Sequence, residues 1–363
     1  VHHRDDDGSR SADLDVSSPQ CVHLVDSKEV KSMARSVAPA GARELHQRAL
    51  VVDTAVTLLQ PGAQFDAQLQ DIRAGAIDCA LVTVGSKEDA RGTLENIASW
   101  YTLLQSRSND LSLATTVDGI ETAARQGKVA IVFHFQNTKG FEGDIRLVQI
   151  FRNLGVRVVG LTYNERNLVG DGATERTNSG LSDFGVELVK ELNRVGMVVD
   201  ISHVGERTSL EAIEASEAPV VASHSNARAL CDHPRNLSDE VIKGVARTGG
   251  VVGVNVFPSF VRKESPNLEH VMDHVDYVVK MIGVDHVGFG LDLNTGGDLA
   301  LFRAMKFKTE FYPEPPWIFP EGIRTIPDWP NLTAGLVRRR YSEEDVLKIL
   351  GGNFLRVFRQ VWK

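Results

Sequence analysis

Apolar residues in this chain gather into short unbroken runs instead of alternating with polar ones. The runs fall at 50–56 (LVVDTAV), 77–84 (IDCALVTV), 129–136 (VAIVFHFQ), 156–163 (VRVVGLTY), 196–202 (GMVVDIS), 218–223 (APVVAS), 249–256 (GGVVGVNV) and 286–292 (HVGFGLD). Runs of this length, rich in β-branched side chains, are what strands buried on both faces of a parallel sheet require. Between them, residues 92–105, 144–155, 182–196, 209–216, 238–249 and 270–283 carry apolar positions at helical spacing. Pro39–Arg48 reads as a helix before the first run, and 343–362 as a helical finish. Ser182 and Ser238 stand where N-caps belong, and Gly155, Gly196 and Gly249 stand just past helix ends. Eight strands alternating with helices predict an α/β fold, a (β/α)8 TIM barrel. The rival, an open doubly wound sheet, would place a glycine-rich phosphate loop after its first strand. LVVDTAVTLL has no GxGxxG, and no GKS/T follows any strand.

Composition narrows this picture. In 363 residues, 42% are hydrophobic and 24% charged, proportions that allow a large core and exclude a wholly disordered chain. The net charge of -8 comes with no basic block beyond Arg338–Arg340, so nucleic acid is excluded as a partner. No apolar stretch approaches the roughly 18–20 residues of a transmembrane helix. The chain is therefore read as soluble. Its compartment is unknown, with cytoplasmic favoured; it starts at Val1 and not Met, so a removed leader stays open. Residues 1–35 are polar and aperiodic, an N-terminal extension expected to be a loose arm before a single barrel domain at 36–363. Within that domain a Pro- and aromatic-rich insertion at about 300–330 holds Phe311, Tyr312, Trp317 and Trp329, and reads as a lid, an interface element or a packed loop. Cys21, Cys79 and Cys231 form neither a disulfide framework nor a CxxC site. His270, His274 and Asp276 lie close together on a predicted helix, the two histidines one turn apart; a metal pair is conceivable, and a solvated helix face is the preferred reading.

In a barrel the chemistry sits at the C-terminal ends of the strands. The polar residues there are Asp53, His134, Gln136, Tyr163, Asn164, His203, His224, Asn255 and Asp292. His203 and His224 follow consecutive strands and Asp292 closes the last. Two imidazoles could hold one divalent ion, zinc by ligand preference, while Asp292 takes a proton from water activated by it. Tyr163 is a candidate donor to a developing oxyanion, Asn164 a candidate pocket residue, and Asp53 a structural one.

The runs LSDFGVELVKELNRVGMVVDISHVGERT (181–208), ASHSNARALCDHPRN (222–236) and VGFGLDLN (287–294) resemble the renal, or membrane, dipeptidase family, the M19 peptidases of the amidohydrolase superfamily. The likeness covers about residues 45–362 and includes the closing segment 320–358. It implies His203 and His224 as strand-end zinc ligands, Arg235 as the arginine for a substrate carboxylate, and Asp292 as the catalytic aspartate. It also leaves a homodimer open. The first half departs from the family pattern. Where the family's first strand ends D-G-H-x-D, this chain has Asp53-Thr54-Ala55-Val56-Thr57, so a His and an Asp ligand are missing. The glutamate that bridges two zincs corresponds to Gln136, and the histidine after the fourth strand to Tyr163. Two close cations need an anionic bridge, which a neutral amide cannot supply. The expectation is one zinc per chain on His203 and His224, with Gln136 as a weak third ligand and His134, on the same strand face, as a further candidate. The substrate would be a small dipeptide-like or amino-acid-derived amide. The alternative is a repurposed protein with no metal, in which Asp292 and Tyr163 do acid/base chemistry on a small metabolite or the pocket only binds it.

Overall fold

The computed structural model describes residues 40–57, 59–294, 299–304 and 307–363; the polar arm at 1–35 lies outside them. The strands are β1 (Val52–Asp53), β2 (Cys79–Gly85), β3 (Leu111–Leu113), β4 (Val129–Phe135), β5 (Val156–Gly160), β6 (Val198–Asp200), β7 (Val220–Val221), β8 (Val252–Val254) and β9 (Val287–Phe289). Eight of them coincide with the eight apolar runs, β2 reaching one residue past the end of its own. All pair in parallel, in the order β1-β2-β4-β5-β6-β7, with β8 on β9.

Two sets of backbone bonds join these sheets into a ring. Ala222 N donates to Val251 O at 3.0 Å and Gly253 N to Ala222 O at 2.7 Å, which links β7 to β8. Thr54 N donates to Phe289 O at 3.3 Å, which links β9 back to β1. Buried Asp53 reinforces that closure: Oδ1 accepts from Ala55 N and Leu291 N at 3.1 and 3.0 Å, and Oδ2 from Trp329 Nε1 at 3.1 Å. The barrel leaves no room at this seam. A Cβ on Gly290 would sit 2.1 Å from Ser223 O and 2.4 Å from Thr54 Oγ1. Gly290→Ala is therefore expected to cost about 1–3 kcal/mol through overpacking, read as a lowered thermal midpoint.

The helix signals are met at Ser182 and Ser238, whose side chains accept from Gly185 N and Val241 N, and at Gly196, which caps in the left-handed region. Three features depart from the pattern. β3 was not among the apolar runs; at three residues it is too short for periodicity to register, and it lies against the N-terminal end of β4. The finish is not one helix, because a π-helical stretch at Lys348–Gly352 interrupts it where Gly351 passes so close to Leu50 O that a Cβ would lie at 2.1 Å. His274 is buried, not solvated: Ala227 N donates to its Nδ1 at 3.2 Å, and its Nε2 meets Val261 O at 3.0 Å. Cys79 and Cys231 are buried free thiols. Among the described residues no helix is long and apolar enough to cross a membrane.

Candidate active site

The loops leaving β1, β2, β4, β5, β6 and β9 surround a cavity of about 390 Å³ at the C-terminal mouth of the barrel. Of the candidates named from sequence, Gln136, Tyr163, His203 and Asp292 line it. Asn164, His224 and Arg235 stand behind its wall, joined to it by hydrogen bonds, and His134 lies one layer deeper.

His203 holds its imidazole in a backbone conformation that L-residues rarely adopt, φ 67°. Asn164 at 64° and Asp292 at 50° do the same. Each such position costs on the order of 1 kcal/mol or more and persists where the surroundings over-determine it. The surroundings of His203 do so. Its ring stacks on Tyr163 with centroids 4.2 Å apart, and its Nδ1 meets Asn164 Oδ1 at 2.8 Å. Tyr312 donates to that same Asn164 oxygen at 3.1 Å. An amide oxygen can only accept, so His203 Nδ1 carries a proton and its Nε2 a lone pair.

The same argument fixes His224. Ser223 Oγ donates to Asp200 Oδ2 at 2.5 Å and therefore accepts from His224 Nδ1 at 2.7 Å. That leaves a lone pair on His224 Nε2 as well. The two Nε2 atoms face each other at 2.8 Å, the length of an N–H···N bond, so two lone pairs there repel unless a proton bridges them; an ion ligated by both would need the rings to part slightly. Burial, with the charge of Arg235 adding to it, holds both imidazoles well below the ordinary histidine range, which favours the neutral, metal-binding form.

His134 is not part of this pair. Its Nε2 bonds Asp200 Oδ2 at 3.0 Å, and its Nδ1 is buried without a partner. Gln136 lines the cavity, but its amide nitrogen donates to Thr83 Oγ1 at 2.9 Å. On the β1 side, Ala55 is buried and its side chain has no atom that could ligate a metal, and Thr57 donates to Leu293 O at 3.2 Å. Among the described residues no three His, Cys, Asp or Glu side chains converge as metal ligands. The donors that meet here are thus two neutral imidazoles, with no carboxylate bridge from the β1 or β4 positions.

Asp292 is half-buried at the cavity wall. Burial pushes its carboxyl up to about 7, against the opposing charge of Arg235. Arg235 is 2% exposed; its hydrogen-bond partners are neutral oxygens, Ser225 Oγ at 3.4 Å, His224 O at 3.2 Å and the Tyr312 hydroxyl, and its guanidinium lies 5.2 Å from the centroid of the Phe260 ring. Its Nε has no partner. A buried guanidinium without a carboxylate is costly unless an anion arrives. Burial raises the Tyr163 hydroxyl well above its usual range, so Tyr163 stays a neutral donor.

Sequence reasoning missed several residues here. Asp200 and Ser223, which set the tautomer of His224, sat unremarked inside the DISH and SHSNAR motifs. Ser86 and Glu88 line the cavity from the loop after β2, a strand end that carried no histidine or aspartate to draw notice.

The sequence profile of membrane dipeptidase, peptidase family M19, matches residues 41–302 and 315–363. A solved amidohydrolase from Pseudomonas aeruginosa is 36% identical with TM-score 0.82, covering 88% of this chain and 99% of its own. Dipeptidase tcpJ of Claviceps purpurea is 33% identical over 275 residues, 75% of this chain and 60% of the relative. Dipeptidase verJ of Clonostachys rogersoniana is 32% identical over 280 residues, 76% of this chain and 66% of the relative. The chain thus spans 60–66% of the length of these two curated relatives. A metallopeptidase from Rhodobacter sphaeroides, solved with a phosphinate mimic of L-Ala-D-Ala, shares the fold at 20% identity and TM-score 0.74, covering 86% and 99%. The chain belongs to the membrane dipeptidase family, peptidase family M19.

Proposed function

We propose that this protein is a dipeptidase-type hydrolase that cleaves an amide bond in a small, carboxylate-bearing, amino-acid-derived substrate, with one metal ion in place of two. The observation that carries this reading is the His203–His224 pair, whose Nε2 lone pairs face each other at 2.8 Å while both Nδ1 atoms are tied to acceptors. When bound there, zinc would lower the pKa of a water toward about 7.

The chain's own residues do the rest. Arg235 anchors the substrate carboxylate, with Nε, the guanidinium nitrogen left without a partner, as its open donor. Asp292, poised near neutrality, accepts a proton from the attacking water and returns it to the departing nitrogen. Tyr163 donates to the carbonyl oxygen as charge develops on it. In balance, the water oxygen bonds to the carbonyl carbon, the C–N bond breaks, and the products are a carboxylic acid and an amine.

Dipeptide hydrolysis by protein purified without chelator, then stripped and resupplied with zinc, tests this. Activity lost on stripping and restored by zinc is expected. Full activity in the stripped protein on any amide would favour the metal-free acid/base alternative.

A further inference from the structure

A lone pair on His203 Nε2 is not the form that the two imidazoles would adopt by themselves. Moving one proton from Nδ1 to Nε2 would turn the facing nitrogens into an N–H···N bond at the same 2.8 Å and remove their repulsion. His203 would then present a lone pair at Nδ1, and Asn164 would have to turn its amide so that Nδ2 donates to it. Which end a side-chain amide presents is set by the donors and acceptors around it, so a further group must hold the Asn164 oxygen toward His203.

Tyr312 is that group. Its ring belongs to an aromatic wall of the cavity, with Phe257, Phe302, Phe307 and Trp317, and it lies in the stretch 303–314 that the family profile leaves unmatched. The hydroxyl oxygen accepts from Arg235, which has only hydrogens to offer. Its own proton is directed to Asn164 Oδ1, 3.1 Å away. The bonds from Arg235 to Tyr312, to Asn164 and to His203 therefore run in one sense, and the doubly accepting oxygen takes the Nδ1 proton of His203. With the amide turned over, Nδ2 would set a donor against the hydroxyl proton. Packing holds the phenol in place: its ring lies 4.8 Å from Phe307, 5.7 Å from Phe260 and 5.9 Å from Phe257. The backbone beside it is tied to the Arg235 turn, because His233 Nδ1 accepts from Arg235 N at 3.1 Å and its Nε2 donates to Phe311 O at 2.9 Å.

We infer that Tyr312 is a positioning residue that keeps His203 in the Nδ1–H tautomer and so keeps its Nε2 open to a metal ion. The tautomer follows from the hydrogen bonds; its use in metal binding rests on the one-metal reading of the His203–His224 pair.

The test compares the unsubstituted chain with Tyr312→Phe, which keeps the ring and loses the hydroxyl. Ring-nitrogen NMR of metal-stripped protein, with the His203 signals identified by their absence from His203→Ala, should show Nδ1 protonated in the unsubstituted chain and a shift toward Nε2–H in the variant. Zinc affinity, by competition with a chromophoric chelator, should fall about 10–100-fold in Tyr312→Phe, as it does when a hydrogen bond that orients a ligand is lost. In an Asn164→Asp background both terminal atoms are oxygens, so no turn of the group presents a donor, and aspartate tolerates the left-handed backbone there. Tyr312→Phe should then change zinc affinity by about twofold or less. An unprotonated Nδ1 in the unsubstituted chain overturns the inference whether or not any variant folds. Where zinc binds, an unchanged affinity in Tyr312→Phe, or an equal loss in both backgrounds, overturns it too. If the ring nitrogens behave as stated and the unsubstituted chain takes up no zinc, the one-metal reading fails and the tautomer assignment stands.

Discussion

Asp292→Asn is expected to lower kcat by about 10²–10⁴-fold, the span that a positioned general base contributes. The carboxyl is raised to about 7 by burial, so below that pH most of it is protonated and unable to accept a proton. The unsubstituted enzyme should therefore show kcat/KM rising with pH through about 7 and levelling above it. The sign follows from the base being the ionised form. In Asp292→Asn the residual activity should lose that rising limb, because asparagine does not titrate. An aspartate that only buttressed the loop would lower activity without changing the shape of the profile. Initial rates across pH 5–9 on a carboxylate-bearing amide separate the two.

Arg235→Met carries the second large effect. Removing one partner of a buried charge pair with substrate costs about 2–5 kcal/mol, so kcat/KM should fall by roughly 30-fold to several thousandfold, chiefly through KM. Arg235→Lys should recover only part of the loss, since an ammonium keeps the charge and loses the two-pronged geometry. Stability should move the other way or not at all. The guanidinium is buried against neutral oxygens, and methionine removes that desolvated charge while filling much of its volume. A large drop in thermal midpoint for Arg235→Met would identify a structural arginine and contradict the anchor role.

The barrel was legible because its strands are buried on both faces and so mostly apolar, and a run such as VAIVFHF is buried at every position. What stayed hidden was what has no period: the three-residue β3, the π-helical turn at Gly351 and the burial of His274. The site divides the same way. His203 and His224 were readable from their place after consecutive strands, and the missing first-strand ligands from Ala55 and Thr57. Their tautomers were not, because these depend on Asn164 Oδ1 and Ser223 Oγ, contacts across 39 residues in one case and on a hydroxyl's orientation in the other. His134 shows the limit of strand parity. It shares a face with Gln136, yet it is drawn to Asp200 from β6, a partner that the pattern along one strand cannot indicate. The aromatic wall was visible as composition in 300–330, while its place at the cavity needed the fold.

The central claim is a single ion held by two imidazoles. Metal content per chain, measured on protein purified without chelator and in zinc-supplemented buffer after dialysis, tests it most directly, with His203→Ala and His224→Ala alongside. One ion per chain is expected in the unsubstituted protein and close to none in either variant. Two ions per chain, or a full complement in His203→Ala, would contradict it.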